Sequence, residues 1–187
     1  MDLHWNFFLA LERDVDVLSR YVEFDSRNYD CFSIEIARIL VAASGEVDVV
    51  AKQICRAADS HSSARDMIDY RRELMRAYPR IPDFRVKMPR FGLDLKPFEQ
   101  WKRHNGVPLW WKAHDKIKQE KNTQYHRASL KHALNAVAGL FVMVLHLYRD
   151  KAEAGELLPS PQLFRPDHAH DNGTTNHGLE IGISYRL

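Results

Sequence analysis

Apolar residues recur at helical spacing along most of the chain. Leu3, Phe7, Leu11, Val15, Leu18 and Val22 share one face and predict a helix over 2–22. After the polar break at 25–30, where Asn28 or Asp30 can cap, a longer helix is expected over 31–59. Its seam is Ile36, Leu40, Ala43, Val47, Val50, Ile54 and Ala57, and a second face of Ile34, Val41 and Val49 predicts burial on more than one side. Gly45 inside this helix costs about 1 kcal/mol against Ala and is expected at a close helix crossing. A break at 60–63 precedes an arginine-rich helix over 64–77, with Met67, Tyr70, Leu74 and Ala77 in phase. Between Tyr78 and Pro97 the period drops to two: Phe84, Val86, Met88 and then Phe91, Leu93, Leu95 predict a short hairpin. A short helical turn around Trp101, a helix over 109–120 behind Trp110 and Trp111, and a final helix over 127–149 follow. That last helix carries Leu130, Leu134, Val137, Phe141, Val144 and Tyr148, and is apolar on nearly every side, as a central bundle helix must be.

The expected fold is therefore mainly α: a helical bundle of four to five helices with a small β-hairpin or sheet insertion at about 82–96. The bundle would occupy 1–158. A loop-rich tail over 159–187 follows, ending in a short strand where Leu179, Ile181, Ile183 and Tyr185 alternate with polar or small residues; that strand can join the hairpin. Residues 167–177 are polar and read as loop. A hydrophobic content of 45% and a charged content of 28% fit a globular chain. The first residues lack the basic start and small-residue cleavage site of a signal peptide, and the longest apolar run is interrupted by Asn135 and His146. Cys31 and Cys55, both in helical pattern, read as small buried hydrophobes in a reducing compartment. The expectation is a cytoplasmic protein without a membrane span.

Charge changes this picture locally. Lys112, Lys116, Lys118, Lys121, Arg127 and Lys131 face only Asp115 and Glu120, so 112–132 carries +4 where the whole chain carries +2. A positive patch beside aromatic residues suits a phosphate-bearing ligand, and Lys118, Lys121 and Lys131 are its candidate phosphate contacts. His114 and His132 lie in the same window, and an imidazole near its ordinary pKa exchanges protons at neutral pH. An offset of five residues places Arg127 and His132 about 140° apart on a regular helix. They converge if Arg127 sits at a frayed helix start or if a second subunit completes the site. The tail histidines His168, His170 and His177 lack nearby cysteines, and neither a metal nor another cofactor is expected.

Two long helices, a tryptophan-rich lead-in, a basic segment and a final apolar helix resemble the HEPN superfamily of compact helical domains. Pro97-Phe98 with Trp101, Pro108 with Trp110-Trp111, and the segment His114 to Lys121 resemble, more narrowly, the blocks of bacterial proteins with a Tyr-Asn-x-x-Lys-His-x-Arg pattern. The likeness covers residues 6 to 149. It implies a homodimer and a metal-independent endoribonuclease serving in toxin–antitoxin or phage defence, with RNA and an antitoxin or other defence protein as partners. By that resemblance Arg127, His132 and His114 are the candidate catalytic residues. The chain departs from the pattern at four positions. Gln119 stands for histidine, Lys121 for arginine, Asp115 for asparagine and His114 for tyrosine. Glutamine cannot relay a proton, and lysine lacks the guanidinium fork. Either the site is silent and the chain is a helical dimerisation or partner-binding module, or Arg127 and His132 supply the signature on the following helix.

Overall fold

The most apolar segment forms the axis of the structure. Helix α6 (Leu130–Leu147) is buried on almost every face, from Leu130 through His146. In the computed structural model, which describes residues 2–167, 171–177 and 180–187, α6 packs against α1 (Leu3–Leu18), α2 (Ile34–Ala58) and α4 (Leu109–Gln119). By length and composition alone α6 could cross a membrane, but 78% of it is buried inside the protein. It acts here as the core of a mainly α fold.

The buried stripe of α1 is shifted from the expected one. Trp5, Phe8, Leu9, Leu11, Val15 and Leu18 face inward, whereas Leu3 and Phe7 are exposed. The aromatic rings set this rotation: Phe8 stacks on Phe141 with centroids 5.0 Å apart, and Trp5 lies 6.3 Å from the same ring. Helix α2 starts at Ile34 because the Ser33 hydroxyl accepts the Ile36 amide at 3.2 Å; neither Asn28 nor Asp30 caps it. Its seam is buried as expected except at Ala57. The second face is not: Ile34, Val41 and Val49 are exposed, Ile34 by 75%. Gly45 lies on that open face, where an added Cβ would meet nothing within 4 Å, so no helix crosses there. Two polar contacts pin α1 antiparallel to α2, His4 to Glu46 at 2.5 Å and Asp14 to Arg38 at 2.9 Å.

Helix α3 (Met67–Ala77) begins later than expected, where the Asp66 carboxylate accepts the amides of Ile68 and Asp69. The hairpin forms as predicted. Strands β1 (Val86–Met88) and β2 (Leu93–Leu95) pair antiparallel across a turn closed by Gly92 at φ 64°. The chain then makes a 3-10 turn over Glu99–Lys102 that buries Trp101 completely. Gly106 is obligatory here: a Cβ would lie 1.7 Å from the Gln100 carbonyl oxygen. After α4 a short helix α5 (Lys121–Gln124) and a 3-10 turn over Tyr125–Arg127 lead into α6, and α7 (Arg149–Ala154) follows it.

The tail returns to the bundle. Strand β3 (Arg165–Pro166) adds to the free side of β1, giving a sheet ordered β2-β1-β3. The last strand does not join it. Strand β5 (Glu180–Tyr185) pairs instead with β4 (Asp171–His177), in a stretch expected to be loop. Its polar side chains give β4 no apolar alternation by which it could be recognised. Glu12 on α1 holds the approach to β3 by accepting the amides of Gln162, Leu163 and Phe164 at 3.0, 2.8 and 3.1 Å. Tyr185 reaches Phe141 with centroids 5.9 Å apart. Both cysteines are free; Cys55 is buried in α2, while Cys31 precedes that helix.

Candidate functional site

The first turn of α6 is fixed by a strap from far upstream. The Leu130 amide donates to the Cys31 carbonyl at 2.8 Å and the Lys131 amide to the Tyr29 carbonyl at 3.1 Å. These bonds satisfy amides that a helix start otherwise leaves open. Ser129, at the cap position, makes no side-chain cap bond, and its hydroxyl lies 3.2 Å from His132 Nδ1.

His132 Nδ1 also lies 2.9 Å from the carbonyl oxygen of Arg127. A carbonyl can only accept, so Nδ1 carries the hydrogen and Nε2 of the neutral ring holds the lone pair. Nε2 has no hydrogen-bond partner among the described residues and is not closed off from solvent. Burial holds the imidazole below its ordinary pKa; the Arg127 carbonyl opposes the shift and Lys131 adds to it. A half-buried, neutral histidine with one fixed nitrogen and one open nitrogen can take up a proton at neutral pH.

His132 lines a cleft of about 350 Å³ between α6, the start of α4, the 94–100 segment and Tyr29. That volume lies in the range of small-ligand sites. Trp110 forms one wall, held by an Nε1 hydrogen bond to the Pro97 carbonyl at 2.8 Å. Gly139 permits that position, since a Cβ there would already stand 3.0 Å from the Trp110 ring. Polar groups converge on the cleft from three segments: Lys131 and Asn135 from α6, Asp94, Lys96 and Gln100 from the sheet and its exit, and Tyr29 from the strap. The Lys131 ammonium lies 5.8 Å from the Tyr29 ring centroid and has no ion pair among the described residues. Asn135 donates to the Lys131 carbonyl at 2.9 Å, which leaves its side-chain oxygen as an acceptor.

The residues singled out in the sequence divide among several places. His132 and Lys131 line the cleft, and Arg127 supplies the carbonyl that orients His132. The Arg127 guanidinium is exposed and donates to Gln124. The break at Ala128 between the 3-10 turn and α6 removes the regular-helix offset and lets the ring reach that carbonyl. His114 is elsewhere, buried on α4 among Trp111, Asp115 and α2. Its Nδ1 has no hydrogen bond and stands 3.4 Å from an Asp115 oxygen, and burial lowers its pKa more than Asp115 raises it. Lys118 and Gln119 are exposed at the far end of α4, and Gln119 is about 13 Å along the helix from Trp110. The Lys121 side chain, His168, His170 and the His177 side chain lie outside the described residues. Among the described residues no group of histidine, cysteine and carboxylate side chains could hold a metal ion.

Sequence reasoning missed Tyr29, Lys96, Gln100 and Asn135. Only Asn135 left a signal there, standing one helical turn from Lys131 and His132. No family model matches the chain, and no curated protein or solved structure matches it either.

Proposed function

We propose that the cleft binds a phosphodiester of RNA and that the protein is a HEPN-like, metal-independent endoribonuclease acting in the cytoplasm as a toxin or defence component. The observation that carries this reading is the open Nε2 of His132, on a ring that a main-chain carbonyl fixes through Nδ1 and that lines a cleft also holding Lys131 and Lys96. In the reaction, Nε2 takes the proton of a ribose 2′-hydroxyl. The 2′-oxygen attacks phosphorus and the bond to the 5′-oxygen breaks. The products are a 2′,3′-cyclic phosphate and a 5′-hydroxyl, whose proton comes from solvent. Lys131 stabilises the charge that builds on the phosphate oxygens, and Arg127 positions the base through its carbonyl. His114 has no part in the step.

The test is cleavage of single-stranded RNA in the presence of a chelator. His132→Ala is expected to slow cleavage by about 100-fold or more, while His114→Ala keeps the wild-type rate. Wild-type cleavage by His132→Ala overturns the reading.

One surface favours a second reading, a catalytically silent module that pairs with another copy of itself. The exposed stripes of α1 (Leu3, Phe7, Val17) and α2 (Ile34, Val41, Val49) flank the Asp14–Arg38 ion pair. Arg38 also pairs with Glu35, so the face carries both signs and a two-fold copy can satisfy them reciprocally. Gly45 leaves room for the copy's helix to approach.

A further inference from the structure

The solvent face of the three-stranded sheet adjoins the cleft and has a charge pattern that sheet stability does not explain. The register sets Asp94, Lys87 and Arg165 side by side across β2, β1 and β3. Arg85, just before β1, reaches the same carboxylate as Lys87: Asp94 Oδ2 accepts from Arg85 at 3.2 Å and from Lys87 at 2.7 Å. Two cations therefore share one carboxylate, and the third cation of the row, Arg165, has no ion pair among the described residues. Like charges directly opposite on neighbouring strands are destabilising. Lysine often guards an edge strand against pairing, but β1 is the central strand, so that explanation does not reach Lys87.

Asp94 also lines the His132 cleft, as does Lys96 two residues on. The cationic row thus begins at the cleft wall and runs outward for about 10 Å, two strand spacings. We infer that this row is a track for the sugar–phosphate backbone of single-stranded RNA, continuing from the nucleotide held at His132. Phosphates relieve the repulsion between Lys87 and Arg165, and Asp94 keeps Arg85 and Lys87 extended toward them. The track rests on the RNA reading of the cleft and adds to it the strand class and the direction in which the strand leaves.

The test is fluorescence anisotropy with a labelled, uncleavable 2′-O-methyl oligoribonucleotide over a salt series. The variant Arg85→Ala/Lys87→Ala/Arg165→Ala is expected to bind at least about tenfold more weakly, and its salt slope to fall by about 2, the loss of three phosphate contacts. Arg56→Ala/Arg65→Ala/Arg76→Ala removes the same charge from α2 and its neighbourhood and is expected to bind within about twofold of wild type. Thermal melts confirm that both variants fold. Wild-type binding by the track variant, an equal loss in the control, or no binding by the wild-type protein overturns the track. Binding that follows the expected order without any cleavage of natural RNA supports the track and sinks the catalytic reading alone.

Discussion

At His132 the fold opposes the charged form of the ring. Burial pushes its pKa below the ordinary value of about 6.5, so the ring stays neutral at pH 7 and its open nitrogen remains a base. The acid limb of a cleavage pH profile is therefore expected below pH 6.5, read from single-turnover rates; a limb above that value contradicts the assignment. His114 and His132 also carry a stability consequence with the same sign. Each has a folded pKa below its unfolded one, so the unfolded chain binds more protons in the window between them. Their contribution is complete above about pH 6.5 and is lost as pH falls through the folded values. The midpoint of urea unfolding should decline across that window, and His114→Gln should flatten the decline. At this scale the sequence was only partly legible. The histidine stood out by type and neighbourhood, but the part played by Arg127 did not, because its working atom is a carbonyl that any residue possesses.

Periodicity located the five long helices but not the short α5 and α7, and capping chemistry set the starts of two of them where Ser33 and Asp66 accept first-turn amides. It failed where the apolar pattern itself was ambiguous. Leu3 and Phe7 satisfy a helical face as well as Trp5 and Phe8 do, and only the contacts with Phe141 decide between them. The tail was read as loop because its anchor is a carboxylate on the first helix. Glu12, only 4% exposed, gathers three consecutive amides from 162–164. Replacing it with alanine leaves the buried Leu163 and Phe164 amides unsatisfied, and each such group costs about 1–3 kcal/mol. Glu12→Ala is expected to lower stability by about 2–4 kcal/mol in denaturant titration. A loss below about 0.5 kcal/mol would show that water replaces the carboxylate.

Across the whole molecule, one face is built for burial and is not buried within the chain. The α1–α2 face exposes Leu3, Phe7, Ile34, Val41 and Val49 together. Exposed apolar side chains gathered on one face are what a second copy of the chain would cover in the pairing proposed above. Sedimentation of the purified chain is expected to show a dimer, and Val41→Glu/Val49→Glu to shift it to monomer without a drop in melting temperature; a wild-type monomer at every concentration rules the pairing out. The cleft lies where distant parts of the chain meet, which is why the sequence did not reveal its lining. The strap at Tyr29–Cys31 has a further consequence for how this helix opens in the native protein. The first turn of α6 is held by two carbonyls from outside the helix, and Lys131 and His132 are not buried, whereas the body from Ala136 to Leu145 is buried throughout. Local opening therefore starts at the first turn, when the strap lifts. In native-state hydrogen exchange the amides of Leu130 and Lys131 should exchange faster than those of Val142 and Val144, so the cleft lining loosens while the body of the helix stays packed.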